Sequence, residues 1–527
     1  MARDASKVDF QYVRLALLYP QQVFLCPEGK NIFFGGRVFM KMVYNVEDRP
    51  KPLQVVVYAI QQLLAIMAAT LVVPVITGNG MQPAAALFGA GVGTIVYLCF
   101  TRFKSPVFLG SSFAFLGSMA AAFAGAVSVQ AGYAGLIIGA TFAGLVYVVI
   151  ALIVKFAGVQ WINKLMPPVV IGPTVAIIGL SLAGNAIGDI TKGNIAAPVT
   201  EQLTQINEQI VQLNGAIQAN GYTAIQEITP SPLGSPFIAL LCGLVTLAVT
   251  MICSCYGKKG VRLIPFIIGI LAGYATALVF TLIGNSTGTD ALKILNLAPL
   301  QTLFADGVTL KSFLTLPEFT FLTAAEGVRQ IDGQYLVTLA VAYIPVAFVV
   351  FAEHIADHKN ISSIIERDLL DKPGLHRTLL GDGVGSIAGA FFGGCPNTTY
   401  GESVACVAIT RNASVITIFF AAVGAMLISF ISPFVAFVNS IPSCVMGGVC
   451  MALYGFIAVS GLKMIKDIDL NQNKNLFVVS VILIAGIGGL KLTFGQVEIT
   501  NIAMALILGI LTNLLLARSK DDEQADA

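Results

Sequence analysis

Fourteen apolar runs, separated by short polar stretches, constrain the fold of this 527-residue chain more than any other feature. Most of them approach the roughly 20 residues that an α-helix needs to cross a bilayer. The ninth, tenth and thirteenth are shorter, and the tenth needs the extended residues 395–399 before it to complete a crossing. We predict an all-α polytopic membrane protein with fourteen transmembrane spans, near residues 53–77, 82–100, 107–126, 132–154, 169–187, 236–255, 263–284, 335–356, 379–394, 400–410, 413–438, 441–459, 476–489 and 500–517.

Composition supports a membrane protein and excludes several functions. Charged residues make up 11% of the chain, whereas soluble domains hold roughly 25%. A net charge of +2 indicates no nucleic-acid partner. The chain has no P-loop or other nucleotide-binding motif, so we predict no enzyme and no cofactor, and any pumping must use an ion gradient.

The distribution of Lys and Arg predicts which loops face the cytoplasm. With the N-terminus placed inside and fourteen alternating spans, 25 of the 30 Lys and Arg residues fall on the cytoplasmic side. Positive charge accumulates on that side of membrane proteins. We predict a cytoplasmic segment 1–52, extracellular loops 188–235 and 285–334, a small extracellular helix within 201–218, and a cytoplasmic tail 518–527.

Two weak internal echoes indicate a repeat. Pro168–Gly172 and the glycines that follow it in span 5 resemble Pro442–Gly447 and the small residues after it in span 12. Leu109–Phe115 in span 3 resembles Thr398–Ser403 in span 10. Both pairs are seven spans apart, and because seven is odd the copies cross the membrane in opposite directions, as inverted repeats do.

The stretch 393–411 is the first candidate for a binding site. Pro396 and the adjacent Thr398 and Thr399 disfavour helix, so we expect extended residues followed by a short half-helix that begins near Glu402. Broken helices of this kind line the cavities of transporters. A carboxyl group at membrane depth is costly without a partner. Glu402 is therefore predicted to bind a substrate, with a purely structural carboxyl as the alternative.

A second candidate lies near the cytoplasmic end of span 8. Glu353 shares a helix face with Asp357, and His354 and His358 share an adjacent face. Three interpretations remain: a metal site on the two histidines, a helix end leaving the membrane, and a proton relay beside a substrate site. Only the relay, using Glu353 with Asp357 or His358, accounts well for a glutamate inside an apolar run.

The segment Gly110–Phe115 is a third candidate, either as ordinary helix packing or as a second broken span with free backbone N–H groups. Two carboxyl groups together with aromatic rings suit a planar, uncharged ligand that has its own donors and acceptors. A small anion would instead require Arg or Lys. The middle of the predicted spans contains neither.

Several of these motifs resemble bacterial uracil permeases of the nucleobase–ascorbate transporter (nucleobase:cation symporter-2) family. The resemblance runs from about residue 50 to 517. It rests on Leu109–Phe115, Ala352–His354, Gly374–Arg377 and Pro396–Arg411.

The resemblance implies a 7+7 inverted repeat, with a core domain of spans 1–4 and 8–11 moving against a gate domain of spans 5–7 and 12–14, usually in a homodimer. In this chain, residues 53–187 would form core spans 1–4 and the first gate span, and residues 236–284 would form gate spans 6 and 7. Residues 335–438 would form core spans 8–11, and residues 439–517 would form gate spans 12–14. Glu353 and Glu402 would bind the base, and the backbones of Phe113 and Gly401, on short extended segments that break spans 3 and 10, would complete the site. Purine-transporting relatives tend to have Gln at the position of Glu402, which favours uracil.

Four positions depart from the family pattern. Ser403 and Ala405 replace Asn and Gly, Asp357 stands where uracil permeases have His, and Gln62 replaces a His of the first span. The departures at spans 8 and 10 bear on substrate choice, and Asp357 also bears on the proton route.

The sequence therefore predicts a proton-coupled uracil permease of the plasma (inner) membrane, with sodium as the alternative coupling ion. A xanthine or uric acid carrier is the alternative within transport. A membrane-embedded metalloenzyme on the Glu353–His358 cluster and an anion exchanger of the same architecture are the remaining alternatives.

Overall fold

The structure, a computed structural model, describes residues 33–34, 37–38, 42–192, 234–305, 307–466, 468–494 and 497–517. The predicted helix within 201–218, most of the N-terminal segment and the tail 518–527 lie outside the described residues. Each of the fourteen predicted apolar runs contains a helix. In chain order, spans 1 to 14 are Pro52–Thr77, Pro83–Phe100, Leu109–Ala124, Val129–Ala157, Pro168–Ile190, Pro236–Tyr256, Pro265–Thr287, Gly333–Ile365, Leu375–Gly393, Asn397–Thr410, Val415–Ile428, Ser443–Ile465, Asn473–Ile487 and Asn501–Leu515.

Eight of these helices are long and apolar enough to cross a membrane by themselves, and spans 3, 10, 11, 13 and 14 contain shorter apolar helices. Span 9 has nineteen residues but includes His376, Arg377 and Asp382, which lower its hydropathy. The fold is therefore a helical, multi-pass membrane protein, and fourteen crossings remains the predicted number. The other helical segments are Gln160–Leu165, Lys259–Leu263, Asp290–Leu292, Ala298–Gln301, Thr302–Phe304, Leu310–Ser312, Thr320–Gly327, Val328–Gln330, Leu370–Gly374 and Ser432–Ser440.

The described strands are short and form three antiparallel pairs. Strand β1 (Phe33–Phe34) pairs with β2 (Arg37–Val38), and β5 (Leu492–Phe494) pairs with β6 (Val497–Ile499). The third pair joins distant parts of the chain, because β3 (Leu109–Ser111) lies in span 3 and β4 (Asn397–Thr399) lies in span 10. Broken spans 3 and 10 were predicted, and the structure confirms both.

Two spans differ most from the sequence prediction. The predicted span 413–438 is interrupted: its first helix ends at Ile428, and a separate helix, Ser432–Ser440, begins with Pro433 near its N-terminus. Proline lacks an N–H group and disfavours helical geometry in the residue before it, so the first helix cannot continue through this point. Span 8 is longer than predicted and continues to Ile365.

The helices pack into two groups. The first group contains spans 1–4 and 8–11, and the second contains spans 5–7 and 12–14. The two groups meet mainly where span 1 contacts spans 7 and 12 and where span 8 contacts spans 5 and 14. Spans 1 and 8 therefore lie at the boundary between the groups.

The contacts between spans repeat when each number is shifted by seven. The contact between spans 4 and 9 corresponds to the contact between spans 11 and 2. In the same way, the contact between spans 8 and 4 corresponds to that between spans 1 and 11, and the contact between spans 6 and 12 corresponds to that between spans 13 and 5. Spans 2, 3 and 5 also contact their own counterparts 9, 10 and 12. These contacts agree with the predicted 7+7 repeat, whose inverted topology stays a prediction.

Glycines allow the counterpart spans to approach closely. A Cβ atom on Gly89 would lie 2.5 Å from the carbonyl oxygen of Gly389, and one on Gly93 would lie 2.6 Å from that of Gly385. Close backbone contact between small residues is a main source of helix association in membranes. The two crossing helices also contact the broken spans, since span 2 lies against β3 and span 9 lies against β4.

Part of the predicted extracellular loop 285–334 packs against the helices. Its helix Thr320–Gly327 lies on span 4, and the ring of Phe321 stacks on Phe391 of span 9 at 4.8 Å between centroids. At the predicted cytoplasmic side, Val43 N donates to Arg411 O at 2.8 Å and Arg367 pairs with Glu47 at 2.7 Å. Each of these two contacts joins segments that the distribution of Lys and Arg predicts to lie on the cytoplasmic side.

Candidate functional site

The site is organised by the two strands that interrupt spans 3 and 10. Leu109 lies opposite Thr399, Gly110 opposite Thr398, and Ser111 opposite Asn397. The ladder continues at both ends, since Ser112 N donates to Pro396 O at 2.9 Å and Tyr400 N donates to Phe108 O at 3.2 Å. Pairing satisfies the backbone groups that a broken helix would otherwise leave without partners inside the membrane.

Close packing holds the strand pair together. Tyr400 lays its ring across Gly110, where any Cβ atom would collide with it, and its hydroxyl group donates to Ser111 O at 2.8 Å. Thr94 of span 2 bonds the backbone of Leu109 through its side-chain oxygen, which accepts from Leu109 N at 2.9 Å. The strands are therefore fixed to each other and to span 2.

A helical segment begins directly after each strand. Phe113 opens a 3₁₀ turn that leads into Leu116–Ala124, and Gly401 opens the half-helix Gly401–Thr410. Because the strands are antiparallel, the two helical starts lie at opposite ends of the pair. Such starts present unpaired backbone N–H groups and positive partial charge. They can donate to acceptor atoms of a ligand.

The carboxyl groups predicted from sequence come together beside the second of these helix starts. Glu402 lies in the first turn of its half-helix and is half-buried, while Gly401 is exposed. Asp357 of span 8 accepts a hydrogen bond from Thr399 Oγ1 at 2.8 Å. Asp357 Oδ1 also lies 3.9 Å from the position that a Cβ atom on Gly401 would take, and Glu353 is one helical turn before Asp357 on span 8. The structure thus joins Glu353 and Asp357 to the broken span.

Glu353 has an unused acceptor. Its Oε2 atom is buried and lacks a hydrogen-bond partner among the described residues. An unsatisfied buried carboxyl oxygen is expensive unless a ligand or a proton occupies it. Glu353 therefore provides a free acceptor atom on the helix that carries Asp357.

Phe113 faces the second group of helices. It is almost fully buried, and its ring meets the ring of Tyr454 of span 12 edge-on, with centroids 5.4 Å apart. Since Phe113 belongs to the first group and Tyr454 to the second, the site borders the boundary between the groups.

His358 is directed away from this arrangement. Its Nε2 atom lies 2.7 Å from the hydroxyl group of Tyr97, which in turn lies 2.6 Å from Ser105 Oγ, and its Nδ1 atom lies 2.8 Å from His354 O. His358 shares a helix with Glu353 but its ring bonds to span 2. Its predicted part in proton coupling stays a prediction.

Sequence reasoning missed a buried cluster around His354. Nδ1 of His354 lies 2.7 Å from Asp382 Oδ2, and Nε2 lies 3.0 Å from Thr378 Oγ1. Asp382 is an ionisable residue inside the ninth apolar run, and that signal alone could have marked it.

The same cluster bears on the metal alternative. All four ring nitrogens of His354 and His358 have protein partners. Within the described ranges, no group of three His, Cys, Asp or Glu side chains is arranged to hold a metal ion. The interpretation of the two histidines as metal ligands therefore lacks both free nitrogens and further ligands.

Two departures from the family pattern contact each other. Gln62 Nε2 donates to Ser403 Oγ at 2.5 Å, and the same oxygen accepts from Phe108 N at 3.0 Å. The pair ties span 1 to the half-helix of span 10 and to the residue before β3. Sequence reasoning noted both residues but did not predict their contact.

Broken spans, half-helix ends and carboxyl groups at a boundary between two helix groups define a secondary membrane transporter. The family model described as "Permease family", which covers xanthine and uracil permeases, matches residues 53–219 and 216–494. The chain belongs to this family, the nucleobase–ascorbate transporters that its motifs resemble.

Named relatives are similar over almost the whole chain. The chain is 35% identical to the uracil permease of Bacillus subtilis (strain 168) over 490 residues, which cover 92% of this chain and 98% of that protein. It is 32% identical to the uracil permease of Escherichia coli (strain K12), over 89% of this chain and 93% of that protein.

Solved structures share the fold at low sequence identity. The transmembrane domain of the cyanobacterial bicarbonate transporter BicA matches with a TM-score of 0.53 and 15% identity, over 89% of this chain and 99% of that one. The murine anion transporter Slc26a9 matches with a TM-score of 0.51 and 12% identity, over 98% and 73%. These likenesses support the fold alone.

Proposed function

We propose that this protein is a uracil permease that imports its substrate by proton symport. The observation that carries the proposal is the position of Asp357, one helical turn after Glu353, beside the helix start that Gly401 and Glu402 form. The names of the similar permeases support uracil as the substrate. No Lys or Arg ion pair with these carboxyl groups occurs among the described residues, which favours a neutral ligand over an anion.

The donors and acceptors of uracil suit these groups. Uracil is planar and has two N–H donors and two carbonyl acceptors. Glu353 and Glu402 would accept from the N–H groups, and the backbone N–H groups at Phe113 and Gly401 would donate to the carbonyl oxygens. A site built to bond each edge of a base rejects analogues that leave one of these groups unpaired.

Transport would proceed by alternating access. The first group of spans would form the core domain that holds the base, and the second group would form the gate domain. Movement of the core against the gate would expose the site to each side in turn. The edge-on contact of Phe113 with Tyr454 lies on the surface that would have to slide. The protein would lie in the plasma membrane with both termini in the cytoplasm, as a homodimer.

Protons would be coupled through Glu353, Asp357 and His358. The free Oε2 atom of Glu353 and the bond from Thr399 to Asp357 support a part for these two groups in the coupling. Taking up a proton along with the base would neutralise a buried carboxyl group during the crossing.

The decisive experiment is labelled uracil uptake into proteoliposomes, with and without an inward proton gradient and without sodium. Accumulation that requires the gradient supports proton symport. Uptake that ignores the gradient contradicts proton coupling and indicates facilitated diffusion or another ion. Absence of uracil uptake by protein that binds xanthine contradicts the substrate.

The variant Glu402→Ala tests the site itself. Uracil uptake is expected to be lost while the amount of protein in the membrane stays normal, because a direct ligand of the base is removed. Glu326→Ala, which changes a carboxyl group in the helix Thr320–Gly327, is the matched control and should retain uptake. Normal uptake by Glu402→Ala would remove this residue from the site.

A xanthine or uric acid carrier is the second candidate, favoured by Asp357 and by Ser403. Competition of unlabelled uracil, xanthine and uric acid against labelled uracil separates the two. Strong competition by xanthine, with weak competition by uracil, would favour the purine carrier.

A further inference from the structure

A small cavity lies inside the first group of spans. Its volume is about 10 Å³, and it is bordered by residues of spans 3, 4, 8, 9 and 10. A space of this size holds a single occupant as large as a water molecule. Four polar side chains line it: Tyr147, Asp382, Ser386 and Asn397.

Each of these side chains contributes an oxygen atom without a partner. Tyr147 Oη, Asp382 Oδ1, Ser386 Oγ and Asn397 Oδ1 are buried and have no hydrogen-bond partner among the described residues. Their residues are 4%, 1%, 6% and 2% exposed. Leaving even one such atom unsatisfied is costly, so four around one cavity indicate an occupant.

Neighbouring contacts fix which atoms remain for that occupant. Asn397 Nδ2 donates to Gly89 O at 3.2 Å, which leaves Oδ1 unused. Asp382 Oδ2 is 2.7 Å from His354 Nδ1, which leaves Oδ1. Among the described residues, Asp382 has no ion-pair partner besides His354, whose other ring nitrogen lies against the neutral Thr378. An ionised Asp382 therefore lacks a Lys or Arg to balance its charge.

The chemistry of the four atoms selects the occupant. An ionised Asp382 would repel an anion, and four oxygen atoms suit a hard cation. With one carboxylate and three neutral oxygens, the set is poor for Ca²⁺ or Mg²⁺, which bind six or more oxygens in total. A monovalent cation neutralises the single carboxylate and fits the volume. Transporters often bind such ions beside broken helices, and Asn397 is the first residue of β4.

We propose that this cavity is a sodium-ion site formed by Tyr147 Oη, Asp382 Oδ1, Ser386 Oγ and Asn397 Oδ1. The ion links spans 4 and 9 to the extended part of span 10. This goes beyond the proposed function, since it holds whichever base is transported and whether or not protons drive uptake.

The test measures the thermal unfolding of the purified protein in detergent without nucleobase, titrated with NaCl, KCl or choline chloride at constant ionic strength. An ion that binds only the folded state raises Tm with concentration. Sodium is expected to raise Tm by a few degrees in a saturable way, and potassium and choline are not. Equal effects of the three salts on Tm would overturn the proposal. A water molecule would then be the occupant of the cavity.

Two variants locate the effect. Ser386→Ala removes one neutral oxygen, and Asp382→Asn removes the charge with little change of shape; each is expected to weaken the sodium response at least tenfold. Ser118→Ala is the matched control, because Ser118 is equally buried but bonds Ala342 O outside the cavity. Should Asp382→Asn fail to fold, Ser386→Ala decides alone. A sodium response that persists in Ser386→Ala would place the ion elsewhere.

Discussion

At the scale of single residues, Gly110 shows how one position without a side chain shapes the site. The ring of Tyr400 occupies the space where a Cβ atom on Gly110 would stand. Tyr400 is also the residue just before the half-helix that contains Glu402. A larger residue would have to displace the ring or separate the strands. The glycine therefore sets the distance between β3 and β4.

Gly110→Ala is expected to lower the stability of the protein by about 1–3 kcal/mol, which is the usual cost of overpacking a well-filled interior. Thermal unfolding in detergent measures it. Gly184→Ala in span 5 is the matched control, because nothing lies within 4 Å of the Cβ atom it would add. Equal Tm values for the two variants would contradict the packing role of Gly110.

A second observation at the scale of single residues is the hydrogen bond between Gln62 and Ser403. Each departs from the family pattern, and the structure places them 2.5 Å apart with Ser403 also accepting from Phe108 N. Removing the Ser403 hydroxyl group would leave Gln62 Nε2 and Phe108 N without this acceptor. The two residues therefore belong to one contact between spans 1 and 10.

At the scale of elements, the strand pair joins the two halves of the chain at the site. A hydrogen bond runs from Thr399, at the end of β4, to Asp357 on span 8. Since Gly401 follows only two residues later, a shift of span 8 would be transmitted to the start of the half-helix. This bond is the structural link between the predicted coupling residue and the predicted binding residues.

Thr399→Val keeps the shape of the side chain and removes the donor. Uracil uptake is expected to fall roughly tenfold, because a hydrogen bond to a charged group is worth about 1.5–3 kcal/mol, and the pH dependence of uptake is expected to change. Thr399→Ser, which retains the hydroxyl group, should restore both. A parallel loss of uptake in both variants, with an unchanged pH profile, would reduce Thr399 to a packing role.

At the scale of the whole molecule, the two groups of spans meet at few contacts, and the proposed mechanism requires them to move. The rings of Phe113 and Tyr454 lie 5.4 Å apart across that boundary. Phe321 and Phe391 lie 4.8 Å apart within the first group. These two pairs allow a matched test of relative motion.

Cysteine pairs at these positions, in a background without the native cysteines, can be joined by a short reversible cross-linker. Cross-linking Phe113→Cys with Tyr454→Cys is expected to stop uptake, and reduction should restore it, because alternating access moves one domain against the other. The pair Phe321→Cys and Phe391→Cys should transport equally well before and after cross-linking. Continued uptake with the first pair fully linked would contradict the proposed movement.

The sequence by itself determined the membrane class, the fourteen helical segments and both broken spans. Long apolar runs have few alternatives in lipid, where backbone groups must pair within the segment or with a neighbouring one. Pro396 and the adjacent threonines likewise marked extended residues locally. Glu353, Asp357 and Glu402 stood out because ionisable groups are rare in such runs.

Only the tertiary structure decided which of these residues meet. Nothing local to the sequence showed that His358 bonds Tyr97, that Thr399 reaches Asp357, or that Gln62 and Ser403 form one contact. The cavity around Asp382 likewise draws its lining from distant parts of the chain. Periodicity specifies which face of a helix is apolar. The partner of each polar atom depends on how the spans pack against each other, and that packing arises from contacts between residues hundreds of positions apart.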